Sequence, residues 1–205
     1  MTNPTQPLRV IQWCTGKIGQ ICIRHLAANP AFDLVGVYTT SASKDGVDAG
    51  VLAGIAPLGV AATTDKAAVF ALDADCVNYL PLTVDIDDME ALLRSGKNMV
   101  TAVGFTFPAV GDEAAARVEA ACQAGGTSFH GGGIHPGFAG DIWPLTTSRL
   151  LSRIDQLVVT EVCDFSNHPQ AELLFGAFGF GRDPEEATKD PSPVIRSIDQ
   201  DYNGS

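Results

Sequence analysis

The stretch VIQWCTGKIG, residues 10–19, decides how this chain is read. It joins a short apolar strand candidate, Arg9–Trp13, to an amphipathic segment, Lys17–Ala28. Ile18, Ile21, Cys22 and Leu26 share one helical face of that segment, and Asn29 and Pro30 end it. A strand that turns through closely spaced glycines into a helix suits a pyrophosphate, because the turn is tight and backbone N–H groups at the helix start face the phosphates. Gly16 and Gly19 match the second and third glycines of a G-x-G-x-x-G pattern, with Cys14 at the first. A turn of this kind also occurs in folds that bind no nucleotide. Its place between the first strand and the first helix favours a dinucleotide, with Cys14, Thr15, Gly16, Lys17, Ile18 and Gly19 as the binding loop.

Outward from this loop, strand and helix signals alternate. Leu34–Thr39, Cys76–Leu80, Asn98–Val103 and Thr127–His130 read as strands; Asp65–Leu72, Asp85–Ser95 and Asp112–Ala124 read as helices. Acids open the Asp85 helix, Gly96 closes it, and Asp112 is placed as an N-cap. Such alternation implies right-handed βαβ crossovers and a doubly wound parallel sheet, an α/β Rossmann domain over residues 1–140. Beyond Gly140 the character changes: a helix at Asp141–Leu151, a long strand at Ile154–Phe165, then a polar, proline-rich tail. Residues 141–205 read as the beginning of an α+β substrate or dimerisation domain. The strand at Ile154–Phe165 has no later strand to pair with, so a partner chain or further sequence is expected to cover it, and a homodimer follows from the first case.

Composition narrows the function. The 205 residues are 45% hydrophobic and 18% charged, enough for a packed core, and the net charge of −11 excludes the positive footprint that a nucleic acid or an anionic membrane requires. No apolar run is long enough to span a bilayer, and the N-terminus has no secretory pattern. Five scattered cysteines without a CxxC pair argue against a disulfide framework or a metal site, and a cytoplasmic location is expected.

The second strand ends in hydroxyls and a lysine rather than an acid: Thr40, Ser41 and Lys44. These suit a ribose 2′-phosphate better than a bare diol, so NADP is expected ahead of NAD, with dual use allowed. At the carboxyl ends of the later strands, Tyr79, Leu80, Val103 and Gly104 are expected to line the cofactor crevice, with an apolar strand position as the commoner alternative for Tyr79. The segment FHGGGIHPGF, residues 129–138, is the most unusual in the chain. Its consecutive Gly131, Gly132 and Gly133 bring backbone close to a ligand or to another segment. His130 and His135 are the candidate proton donors and acceptors, since histidine changes charge near neutral pH; the alternative is a loop-capping or exposed role. Glu161, on the apolar side of the Ile154–Phe165 strand, is a candidate for a substrate ammonium, with an arginine salt bridge as the ordinary alternative.

Taken in order, QWCTGKIG, LVGVYTTSASKDGVDAG, GKNMVTAVGF, HGGGIHPGF and EVCDFSN…FGFGRDPEE resemble the group of 2,4-diaminopentanoate dehydrogenases and proteins with a dihydrodipicolinate-reductase-like N-terminal domain, over roughly residues 8–186. The resemblance implies NAD(P)-dependent oxidative deamination of a small amino acid, or reduction of an imino acid, by a longer protein. Cys14 stands where these relatives usually have glycine, and His135 where asparagine is common. Ala102-Val103-Gly104 excludes the Glu-Lys-Pro step of the glucose–fructose type of sugar dehydrogenase. Residues 141–205 lack the paired histidines of true dihydrodipicolinate reductases, so the likeness to those enzymes is one of fold and cofactor site. The competing expectation is a catalytically incomplete chain that binds dinucleotide as a module or sensor.

Overall fold

A computed structural model describes residues 6–105, 111–160, 162–168, 171–193 and 195–196, without the side chains of residues 135, 136 and 172. Two compact units divide the chain, Met1–Ile154 and Asp155–Ser205.

The first unit holds a six-stranded parallel sheet: β1 (Leu8–Trp13), β2 (Phe32–Tyr38), β3 (Ala62–Thr63), β4 (Cys76–Tyr79), β5 (Asn98–Thr101) and β6 (Phe129–Gly131). Their order across the sheet is β3-β2-β1-β4-β5-β6, with every named pair parallel. The chain order therefore reverses between β1 and β4, and ligand crevices in doubly wound folds open at that point, beyond the carboxyl ends of the strands. The helices are α1 (Lys17–Ala28), α2 (Ala49–Ala53), α3 (Lys66–Phe70), α4 (Ile86–Arg94) and α5 (Glu113–Gly125), followed by a π-helical turn at Ile134–Ile142 that runs into α6 (Trp143–Ser148). The α/β doubly wound reading is thus confirmed.

Two apolar clusters hold the sheet. On one side Ile11, Trp13, Val77, Tyr79 and Met99 pack with Met89, Leu92 and Leu93 of α4 and Val118 of α5; the second cluster joins Ile23 of α1, Leu34, Val37, Ala49 and Ala53. Trp13 is the centre of an aromatic stack, 4.1 Å from Tyr38 and 5.8 Å from both Phe70 and Tyr79 by ring centroids. Lys66 of α3 bonds both carboxylate oxygens of the buried Asp88 of α4, at 2.7 and 2.6 Å.

The second unit contains an aromatic group of Phe165, Phe178 and Phe180, a π-helical turn at Glu172–Ala177 and α7 (Pro184–Lys189). The strand expected at Ile154–Phe165 is not formed: its described residues are irregular and exposed or half-exposed. A strand exists only as part of a ladder, and no neighbour pairs with this segment among the described residues. The expected helix at Asp141–Leu151 is shorter, and its first residues belong to the π-helical turn that begins at Ile134.

Candidate functional site

The loop between β1 and α1 is built by three residues with three separate reasons. Cys14 takes φ of 74°, the left-handed conformation that lets the chain turn off the strand. This is strained for a residue with a Cβ and explains why glycine would be at ease there. A Cβ on Gly19 would lie 2.2 Å from the Cys14 carbonyl oxygen, so glycine lets the first turn of α1 pack against the loop. Gly16, at φ −67° and ψ −177°, is extended, and a Cβ there would meet nothing within 4 Å. The fold itself does not require this glycine. What it leaves is open space over the N-terminus of α1.

That N-terminus differs from those of five other helices. Helices α2, α3, α4, α5 and α7 each start at an aspartate (Asp48, Asp65, Asp85, Asp112 and Asp183) whose carboxylate accepts backbone N–H groups of the first turn. Helix α1 starts at Gly16 with no side-chain cap and no acid in its first turn. Its leading N–H groups are available to an external anion, and the helix dipole adds to the attraction.

Lys44 overlooks this loop. Its ammonium donates to the Thr15 carbonyl at 2.8 Å and lies 3.3 Å from Thr15 Oγ1, which is 2.9 Å from Thr39 Oγ1. Thr40 is exposed and Ser41 half-buried, with Ser41 Oγ 2.9 Å from Ser43 Oγ. The nearest acid in sequence, Asp45, is engaged elsewhere, accepting from Thr64 N–H at 2.7 Å and from its hydroxyl at 3.1 Å. A cation among hydroxyls, without a carboxylate, remains at the end of β2.

Beyond the strand ends lies a cleft of about 510 Å³. Ile18, Cys22, Leu80, Val100, Phe138 and Ile142 give it apolar walls; Asn78, Thr101, His130 and Asp141 are its polar side chains; Gly131, Gly132, Gly133 and Gly137 bring backbone to its surface. A Cβ on Gly131 would sit 2.4 Å from the Phe105 carbonyl oxygen, so this glycine admits the loop after β5. His130, Leu80, Ile18 and Gly131–Gly133 are therefore brought together as expected from sequence.

Other expected residues fall elsewhere. Tyr79 does not reach the crevice: it is fully buried, and its hydroxyl donates to the Asp85 carbonyl at 3.2 Å and accepts from the Asp85 N–H at 3.1 Å. Alternation along β4 sends Val77 and Tyr79 into the core and leaves Asn78 on the cleft side. Burial pushes the Tyr79 phenol up to about 12. Strand β5 ends at Thr101 rather than Val103, so Thr101 and Ala102 form the cleft wall, while Val103 and Gly104 occupy the turn that follows. Val103 N–H donates to Thr101 Oγ1 at 3.0 Å, and Gly104 has φ of 67°. Glu161 and the side chain of His135 lie outside the described residues.

Sequence reasoning missed two positions. Gln12 is fully buried and donates from Nε2 to the carbonyls of Trp13 and Cys14 at 3.1 and 3.0 Å, while its Oε1 accepts from Asn78 Nδ2 at 2.8 Å. It ties the strained loop to β4 at the cleft, and its sequence signal is a lone polar residue inside an apolar strand. Asp141 is the other, signalled only as an acid after the glycine run. Burial pushes the Cys14 thiol up to about 11, which keeps it protonated and unreactive at neutral pH.

Comparison with known proteins agrees with the fold. Residues 10–123 match the family described as dihydrodipicolinate reductase, N-terminus. An amine dehydrogenase of Streptomyces virginiae is 32% identical over 189 residues, which take in 85% of this chain and 51% of that protein. The solved structure of an amine dehydrogenase from Mycobacterium smegmatis shares the fold at a TM-score of 0.61 and 22% identity, over 73% of this chain and 45% of that one. The chain thus spans about half the length of both relatives. Among the described residues no helix is long and apolar enough to cross a membrane, and no group of three or more metal-ligating side chains occurs.

Proposed function

The chain belongs to the dihydrodipicolinate reductase N-terminal family, and on that footing we propose that it is the cofactor-binding part of an NAD(P)-dependent oxidoreductase acting on the C–N bond of a small amino or imino compound. The observation that carries this reading is the uncapped start of α1 beneath the open space at Gly16. A pyrophosphate fits both features: it needs close approach to backbone, and it supplies the anion that an aspartate supplies at α2, α3, α4, α5 and α7. Cys14, Thr15, Gly16, Lys17, Ile18 and Gly19 would hold it. Lys44, with Thr40 and Ser41, would hold a 2′-phosphate, which favours NADP over NAD. When bound, the nicotinamide supplies or accepts a hydride.

The remaining work falls to the cleft. His130 would manage the proton of the amine or imine nitrogen, and Gly131–Gly133 would present backbone N–H groups to the substrate. In the oxidative direction a protonated amine, water and oxidised cofactor give a carbonyl, ammonium, reduced cofactor and a proton. Both relatives are named amine dehydrogenases, which supports a CH–NH2 or C=N substrate, and small amino acids of the diaminopentanoate type belong in the first panel to test. The free thiols of Cys14, Cys22, Cys76 and Cys122 suit a reducing, cytoplasmic setting.

The test is a paired titration of the folded chain with NADPH and NADH, followed by nicotinamide fluorescence. NADPH should bind about tenfold more tightly, and Lys44→Ala should bring the two within about twofold of each other. Binding without turnover of any amine or amino acid would restrict the chain to a dinucleotide-binding module. Failure of both cofactors to bind a folded chain would overturn the proposal.

A further inference from the structure

Asp141 is the one carboxylate among the described residues of the cleft, in a recess otherwise mostly apolar. The π-helical turn places it there. Phe138 N–H reaches back five residues to the Gly133 carbonyl at 2.9 Å, and Gly137, Phe138, Asp141 and Ile142 all lie along the cleft. Single π-helical turns recur at functional sites because the wider turn re-aims side chains. One carboxylate oxygen of Asp141 is fixed: Oδ2 accepts the Gly137 N–H at 2.8 Å. Oδ1 has no partner among the described residues, and no lysine or arginine lines the cleft there.

A carboxylate held by one oxygen in an apolar recess, with no lysine or arginine beside it among the described residues, favours a cationic guest. We propose that Asp141 is the specificity-determining residue that pairs with the positively charged nitrogen of the substrate, through Oδ1. The Gly137 bond sets the direction of that oxygen, and His130 lines the same cleft. The inference rests on the cleft being the substrate site of the proposed oxidoreductase and adds to it a binding group for ammonium or iminium.

The experiment compares n-butylammonium with butan-1-ol, which differ in the charged nitrogen, as ligands of the whole chain at neutral pH, by NMR titration with and without NADP. The wild-type chain should bind the ammonium at least about tenfold more tightly than the alcohol. Asp141→Asn keeps an oxygen for the Gly137 N–H, so it should lose that preference while retaining its affinity for the alcohol and for NADPH. Asp141→Glu should keep part of the preference. A wild-type chain that binds the ammonium no better than the alcohol, or not at all, overturns the proposal even if the asparagine variant fails to fold. So does an asparagine variant that still prefers the ammonium. NADPH binding separates this idea from the broader one: an Asp141-dependent preference in a chain that binds no dinucleotide sinks the oxidoreductase reading and leaves the ammonium site standing.

Discussion

Gly16 and Gly19 lie three residues apart and serve opposite ends. At Gly19 a methyl group would strike the Cys14 carbonyl, so Gly19→Ala should cost about 3 kcal/mol in chemical denaturation, near the upper end for overpacking a rigid site. At Gly16 a methyl group meets only open space, and the backbone suits alanine, so stability should change by less than about 1 kcal/mol. Its NADPH affinity should nevertheless fall by about tenfold or more, because the methyl would occupy the phosphate approach. Equal losses of stability in the two variants would contradict this division of roles. Cys14 adds a pH signature. Its thiol is raised from 9.0 to about 11 by burial, so between those values the folded state holds a proton that the unfolded state has released. The stability this contributes is complete below pH 9.0 and is lost as pH rises toward 11. Cys14→Gly should therefore flatten, though not abolish, the fall in Tm across that window, since burial also raises the Cys76 thiol. An unchanged slope in the variant would count against it.

The same contrast between local and tertiary causes holds for whole elements. Tyr79 joins β4 to α4 by bonding both backbone groups of Asp85, the N-cap of that helix. Tyr79→Phe leaves the Asp85 N–H without its partner beside a packed core, while the carbonyl keeps the Met89 N–H at 3.1 Å. It should cost about 1 kcal/mol in urea, with NADPH affinity unchanged within about twofold. A selective loss of cofactor binding would instead return Tyr79 to the crevice. Its place at the carboxyl end of β4 points to the crevice, but position along a strand does not fix the face: the alternation that turns Asn78 toward the cleft turns Tyr79 into the core. The bounds of helix α1 are legible, the Asn29–Pro30 stop being a local property, but its stripe of Ile18, Ile21, Cys22 and Leu26 is not the face it buries. Ile18 and Ile21 are 60% and 39% exposed, and the buried residues are Gly19 and Ile23. Helix α2 and the two-residue β3 were not legible, being too short to carry a period. The cofactor loop was legible for the same local reason as α1. Gln12 and Asp141 were not, because their importance lies in the partners that the fold brings to them, the Cys14 carbonyl and the Gly137 N–H.

At the scale of the whole molecule, each of the two units carries exposed apolar side chains. Trp143, Leu145, Leu150 and Leu151, within and just after α6, are 60%, 61%, 89% and 63% exposed, and in the second unit Val158 and Val162 are 73% and 91% exposed. Apolar side chains at this density are costly to keep in water and mark surfaces that other protein covers. The net charge of −11 acts in the opposite sense, because two like-charged copies repel over about a Debye length. The balance gives a directional prediction. Light scattering should show a mass above the 21.5 kDa of one chain, and the associated fraction should grow with added salt, which screens the repulsion while leaving the apolar contact intact. Leu145→Gln combined with Leu150→Gln should return the chain to monomer at every salt concentration without changing its NADPH affinity, because neither residue lines the cleft. A monomeric mass for the unaltered chain at high salt would rule out self-association as what covers this surface, and the homodimer expectation would go with it.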